Sequence, residues 1–261
     1  LPAYSELIGG LKPAGPGRIE TTIPEDWMQG RTTYGGLTAA LCLEAAKHLV
    51  DDMPVRAAQV AFVGPVGGDV AVSSTILRRG KSSAFVSADM VSADGIMARC
   101  LFTFGAKRPS SLSQAAPRAP DLQSPDDYPS FFGDQRPTFA NHFNIRLAAG
   151  SFPVTGAETG DMLLWLRHKD ANAPMTDTTL LAIADSPPPA VMPMMKMPGP
   201  VSSMTWMAEF LTDDISTQDG WFIAHHVSQS ATDGYSSQSM RLWSADGTPI
   251  MIGRQTVAVF A

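Results

Sequence analysis

The chain has 261 residues, and 19 Lys and Arg against 25 Asp and Glu give it a formal charge of −6, with neither sign gathered into a block. A nucleic-acid binder driven by phosphate contacts is therefore excluded. With 44% hydrophobic and 17% charged residues the chain can bury a sizeable core, so disorder is excluded for most of its length, while one large domain or two half-sized ones both fit.

In chain order, alternating apolar positions predict a strand over 17–23. Gly35-Gly36 then opens a helix from Leu37 to Val50, with a wide apolar face at helical spacing, and strands follow at 57–63, 69–77, 83–91 and 97–104. The next segment holds Pro109, Pro117, Pro120, Pro125, Pro129 and Pro137 among Ser, Gln and Asp, and reads as an interdomain linker. The expected layout is thus a first unit at 1–107, a Pro- and Ser-rich linker at 108–139 and a second unit at 140–261. Beyond the linker come a strand at 142–148 and a helix over 179–185, capped by Met175 to Thr178 and interrupted by Ser186-Pro187-Pro188-Pro189. Four more strands are expected at 203–211, 221–227, 236–243 and 250–260.

The flanks of the linker repeat each other. Gly80-Lys81-Ser82-Ser83 and Ser92-Ala93-Asp94-Gly95 in the first half match Gly234-Tyr235-Ser236-Ser237 and Ser244-Ala245-Asp246-Gly247 in the second. Asp-Gly between alternating apolar runs is a hairpin signal, so each half should end in a hairpin of one design, as a tandem duplication would leave it. The α+β arrangement that buries this set is a long central helix in each half wrapped by an antiparallel β-sheet, with the two sheets joined edge to edge.

That order, duplicated, resembles the hotdog fold in its double form, and the second half is similar to the acyl-CoA thioesterase II-like family. The similarity is carried by Tyr34-Gly35-Gly36, by Leu181-Ala182-Ile183-Ala184-Asp185 and by the run from Gly253-Arg254-Gln255-Thr256 to Phe260, and it spans nearly the whole chain outside the linker. It implies a tandem double hotdog and a hydrolase of lipid metabolism that acts on acyl-CoA or a similar thioester without a cofactor. In that family a helix Asp, a strand Thr or Ser and a last-strand Gln hold the water that attacks the thioester. Asp185 and Gln255 match by position. Counting back from Phe210 makes Ser203 the favoured hydroxyl, while a gapless count from Trp221 or Gln255 prefers Thr205. Two residues apart on one strand, these hydroxyls should share a face. The family often carries an Asp two residues after the hydroxyl and an aromatic or His near the end of that strand, where this chain has Thr205 and Glu209.

The chemistry asked of these residues is physically reasonable. A carboxylate can take a proton from water, and a carboxamide with a hydroxyl can orient that water, which is the division of labour available to Asp185, Gln255 and Ser203. Asp185 reads otherwise as a surface residue in a last helical turn, and Gln255 as a buried amide satisfied by structural hydrogen bonds. Gly35 and Gly36 at a helix N-terminus suit backbone amides aimed at a carbonyl oxygen, or simply relieve crowding. The first helix offers no matching acid or amide, so one complete centre is expected.

Other candidate chemistries find less support. His225 and His226 are adjacent on a strand and point to opposite faces, so they cannot chelate one ion together, and His48, His142 and His168 lack partners at ligand spacing, so no metal is expected. Cys42 and Cys100 sit in apolar runs, as buried thiols of a reducing compartment do, and no nucleophile elbow or phosphate loop occurs. Arg78-Arg79-Gly80-Lys81 reads as a CoA-phosphate contact or a solvated turn. Met192, Met194, Met195 and Met197 read as an acyl-tunnel lining or as packing between the halves. The N-terminal residues lack a basic or long apolar run, giving the expectation of a soluble, cytoplasmic protein with no membrane partner. Association of the pseudo-dimers into a homo-oligomer is left open. The competing functions are a catalytically silent hotdog that binds acyl-thioesters or serves as an assembly unit, and a hydratase or dehydratase, which would want an Asp and a His near one helix mouth.

Overall fold

The computed structural model describes residues 2–133 and 136–260; positions 134 and 135 of the expected linker and the two terminal residues, 1 and 261, lie outside the described residues. The first part of the chain forms α1 (Tyr4–Gly9), β1 (Lys12–Gly15), β2 (Arg18–Ile23), a two-stranded ribbon of β3 (Met28–Gln29) and β4 (Thr32–Thr33), α2 (Gly35–Lys47), β5 (Val55–Phe62), β6 (Gly68–Arg79), β7 (Ser83–Ser92) and β8 (Gly95–Gly105). The second part forms β9 (Phe143–Gly150), β10 (Asp161–His168), α3 (Asp177–Ala184), β11 (Val201–Phe210), β12 (Phe222–Thr232), β13 (Tyr235–Ser244) and β14 (Pro249–Val259).

Twelve of these strands make one antiparallel sheet in the order β1-β2-β6-β7-β8-β5-β11-β14-β13-β12-β10-β9. The order repeats about the central seam: β2-β6-β7-β8-β5 on one side is matched, from the opposite edge, by β10-β12-β13-β14-β11. At the seam β5 and β11 pair from Ala61 against Thr205 to Ala57 against Glu209. Both α2 and α3 lie on one face, called inner here.

Helix α2 is apolar all round, with residues 36–43, 45 and 46 buried, because the sheet covers one side of it and α3 another. The two helices run antiparallel. Tyr34, just before α2, donates its phenol hydroxyl to the Ala182 carbonyl near the end of α3 at 3.1 Å, and Lys47 at the far end of α2 pairs with Asp177 in the first turn of α3 at 2.5 Å. Each of these charges also complements the dipole of its own helix.

Only α2 meets the expectation of a long central helix, since α3 has 8 residues, about 12 Å at 1.5 Å per residue. Its length is set at both ends. Thr176 caps the start, its hydroxyl oxygen accepting from the Thr179 amide at 3.3 Å, and the helix ends at Ala184, with Asp185 as its C-cap two residues before Pro187.

Strand β10 was not expected from the sequence, and the reason is physical. Met162 to Leu166 is apolar at every position because both faces of this strand are covered, which removes the alternation of a one-sided strand. Met162, Leu164 and Leu166 join the main inner core, whereas Leu163 and Trp165 face outward with Trp221, Ile223 and Trp243. The Pro-rich segment lies over that outward cluster through Ala119, Leu122 and Tyr128. Trp243 Nε1 donates to the Pro117 carbonyl at 2.8 Å, and the Ala119 amide to the Gly247 carbonyl at 3.1 Å. The segment is a strap on the C-terminal strands as well as a connection.

One other expectation is corrected. The repeated Ser-Ala-Asp-Gly does not make one hairpin design: Ser92 pairs with Gly95 around a two-residue turn, whereas Trp243 pairs with Pro249 around a longer loop. In the methionine segment Met192, Pro193 and Met195 accept from Val154, Ala157 and Gly156 in the β9–β10 loop. No helix among the described residues is long and apolar enough to cross a membrane.

Candidate active site

Asp185 caps the C-terminus of α3, where the Ser186-Pro187 stop leaves its side chain at the junction of α3, the start of α2 and strand β14. Gln255 projects from the inner face of β14, opposite Trp206 of β11 on one side and Gln238 of β13 on the other. Its Nε2 donates to Asp185 Oδ1. The two residues come from elements 70 positions apart and meet because the inner face of β14 lies under the end of α3.

The carboxylate is electrostatically poised. Burial pushes the Asp185 pKa up to about 7, because desolvation penalises the charged form more than the hydrogen bond from Gln255 and the Gly36 backbone amide favour it. Tyr34 close by has its pKa pushed well above the ordinary phenol value, first by burial, and stays neutral.

Gly35 and Gly36 are demanded by space. A Cβ on Gly35 would lie 2.6 Å from Asp185 Oδ2 and 2.7 Å from the Phe62 ring, and one on Gly36 would lie 2.5 Å from the Ala182 carbonyl oxygen. Without side chains the N-terminus of α2 comes against the end of α3, bringing its positive end and first-turn amides to the carboxylate.

The two candidate hydroxyls do not share a face. Ser203 pairs with Val257, but Thr205 pairs with Thr256, so β11 holds one extra residue between them. Such a bulge inverts the alternation. Ser203 therefore lies on the inner face with Gln255 and the buried Val257, while Thr205 points outward. There Thr205 helps line a groove of about 580 Å³ with Leu101, Met207, Arg254 and Thr256, on the side away from the helices. Gln255 and Trp206 border the same groove, but Asp185 is not among its lining residues.

Gln238 was missed by sequence reasoning. It is fully buried on the inner face of β13, its Nε2 donates to Gln255 Oε1 at 2.9 Å, and its Oε1 accepts from the Ala190 amide at 2.6 Å. The available signal was its place in the inward series Ser236, Gln238, Met240, Leu242, a polar residue where a core residue is expected. The matching strands of the first half have no amide there: paired inward residues are Val86 with Phe102, Ala88 with Cys100 and Met90 with Ala98.

His225 faces outward and bonds Asp161 at 2.9 Å, while His226 is buried on the inner face. Among the described residues no three His, Cys, Asp or Glu side chains gather as metal ligands would. Cys42 and Cys100 are both buried. In the basic turn, Arg79 is tied to Asp52 at 2.6 Å.

With this geometry in place, comparison with known proteins defines the class. Residues 23–105 match the family model of the acyl-CoA thioesterase N-terminal domain, and residues 115–259 that of the acyl-CoA thioesterase C-terminal domain. The chain belongs to this acyl-CoA thioesterase family. No curated protein matches it in sequence. Among solved structures it is similar to a hot dog fold protein of unknown function from Alicyclobacillus acidocaldarius (21% identity, TM-score 0.89, covering 100% of this chain and 99% of that one). It is also similar to a tesB protein of Mycobacterium avium subs paratuberculosis (15%, TM-score 0.78, 96% of each chain). A third is an acyl-CoA thioesterase II of Mycobacterium marinum (17%, TM-score 0.75, 96% and 95%). These likenesses establish the hotdog fold.

Proposed function

We propose that the protein hydrolyses acyl-CoA or a closely related thioester by direct attack of water, with Asp185 as the base, in a tandem double hotdog whose units are 1–107 and 140–261 joined by 108–139. The observation that carries this reading is the hydrogen bond from Gln255 to a carboxylate whose pKa burial has raised to about 7. A carboxylate with an ordinary pKa near 3.9 is a feeble base at neutrality, whereas one near 7 is matched to its task.

In this mechanism Asp185 accepts a proton from water, and the oxygen adds to the thioester carbonyl carbon. The carbonyl oxygen takes up the negative charge, stabilised by the Gly35 amide and the positive end of α2, since the Gly36 amide is held by Asp185. Collapse breaks the carbon–sulfur bond, and the thiolate leaves with the proton that Asp185 had taken. Ser203, on the same face as Gln255, orients the water; Thr205 faces away and takes no part. No metal or cofactor is needed in any step, and no protein atom bonds to the acyl group.

The test is Asp185→Asn in folded protein on a panel of acyl-CoAs, with early quenching and intact-mass measurement of the wild type. Turnover should fall on the order of a hundredfold or more, with no acyl adduct on the wild-type chain. Near-normal turnover in the variant, or a stoichiometric adduct, overturns the mechanism. Absence of turnover by the wild type on every thioester would favour a binding or assembly role.

A further inference from the structure

We infer that Gln238 is a positioning residue that fixes which end of the Gln255 amide faces Asp185, through a one-way hydrogen-bond relay starting at the Ala190 backbone. The inference rests on the hydrolytic reading of Asp185 and names the device that keeps its base in working order.

The direction of the relay follows from donor chemistry. A side-chain amide can be turned over with little change in shape, so its orientation has to be set by its partners. A backbone N–H only donates. Ala190 N–H therefore demands the oxygen of Gln238, at 2.6 Å, which leaves the Gln238 NH2 group to face Gln255 at 2.9 Å. Gln255 must then present its own oxygen to Gln238 and its NH2 to Asp185 Oδ1. Two buried amides in series are thus aligned by one peptide group, and the far end delivers a donor to the carboxylate.

The sequence supplies the starting peptide with care. Pro187, Pro188 and Pro189 have no N–H, so Ala190 is the first residue after Ser186 with an amide to donate. Its loop is seated by Gly160, where any Cβ would run into the Ala190 carbonyl and the Ser228 side chain. Gln238 is 1% exposed and Gln255 3%, so water does not compete for these bonds. An amide pair so enclosed is strongly directional.

The other titratable groups around Asp185 do not blur a pH measurement. Tyr34 precedes α2 and stays protonated, with its pKa well above the ordinary value. His226, on the inner face of β12 beside β13, is held neutral with a pKa of about 3. From β5 the neighbour at the Gly35 end of the site is Phe62, and Trp206 of β11 lies opposite Gln255; neither titrates.

Three variants separate a relay from simple packing. Gln238→Met keeps the volume and removes the polar atoms. Gln238→Glu keeps the shape, and burial holds it protonated, so its O–H can still donate to Gln255 while its carbonyl oxygen accepts from the Ala190 amide. Asp185→Asn reports on the hydrolytic reading itself. With folding checked by near-ultraviolet circular dichroism, Gln238→Met should move the acid limb of kcat/KM up by about one pH unit, with KM little changed, and Gln238→Glu, which keeps a donor and an acceptor while protonated, should move it less. If kinetics cannot be followed in Gln238→Met, the Asp185 carboxyl pKa is read instead by NMR of 13C-Asp protein, with the same upward shift expected. An unmoved limb or carboxyl pKa in folded Gln238→Met, with Asp185→Asn inactive, overturns the relay and leaves the hydrolytic reading standing. An active Asp185→Asn overturns the hydrolytic reading and the relay with it.

Discussion

Removing Gln255's donor by Gln255→Leu should shift the pH dependence of hydrolysis upward before it does anything else. In the wild type Asp185 has a pKa of about 7, raised by burial and restrained by the Gln255 bond and the Gly36 amide. A base must be ionised to work, so kcat/KM should rise with pH and level off above about 7. A hydrogen bond to a charged group contributes about 1.5–3 kcal/mol, and one pKa unit corresponds to about 1.4 kcal/mol. Loss of the donor therefore raises the Asp185 pKa by roughly one to two units, since the leucine cannot replace it and the site stays buried. At pH 7 the ionised fraction drops from about one half to between roughly 1 and 10%. Activity should fall there about five- to fiftyfold from this cause alone, and partly return at higher pH. The assay is release of free CoA thiol across the pH range, corrected for uncatalysed hydrolysis, with wild type and variant run together. A wild-type profile flat from pH 6 to 8 would refute the placement of the base. A variant profile lowered equally at all pH values, with its limb unmoved, would show that Gln255 orients water without acting on the carboxylate.

Asp185→Asn should also be more stable than the wild type, in a pH-dependent way. Because the folded pKa lies above the unfolded value, the ionised group destabilises the fold. The gain from Asn should be absent below about pH 4, grow as pH rises towards 7, and reach roughly a few kcal/mol above it, as read by denaturant titration at several pH values. Gly36→Ala should lower the melting temperature and turnover together, since its Cβ lies 2.5 Å from the Ala182 carbonyl oxygen and overpacking of this kind costs about 1–3 kcal/mol. Ser203→Ala should reduce turnover while Thr205→Val leaves it near wild type, and the opposite result would count against the face assignment. Trp243→Ala should cost about 3–5 kcal/mol and open the segment around Pro117 to limited proteolysis, which gel analysis of timed digests would detect.

How much of this was legible beforehand depended on whether the cause was local. Most strands show in periodicity because each buries one face against the same core, and α2 shows as a long apolar run because it is covered on several sides. Asp185 shows as the residue before a Ser-Pro stop, and Gln255 as a polar residue in an apolar strand. Strand β10 hid because a second cover, the Pro-rich strap, lies on its outer face, and no residue of β10 records where that strap comes from. The length of α3 followed from two end signals whose separation is easily read only once both are seen to be used. Which of Ser203 and Thr205 shares the inner face with Gln255 turned on one extra residue in β11, and a bulge is a matter of pairing between strands, invisible to a count along one of them. Gln238 was readable as an oddity in an inward series but not as a partner, because its value comes from registers that join β13 to β14 and from a loop that places Ala190 beside it. Composition and periodicity are properties of neighbours in sequence and determined the elements and their buried faces. The site is made of neighbours in space, so strand register and the antiparallel approach of α2 and α3 decided which polar groups meet.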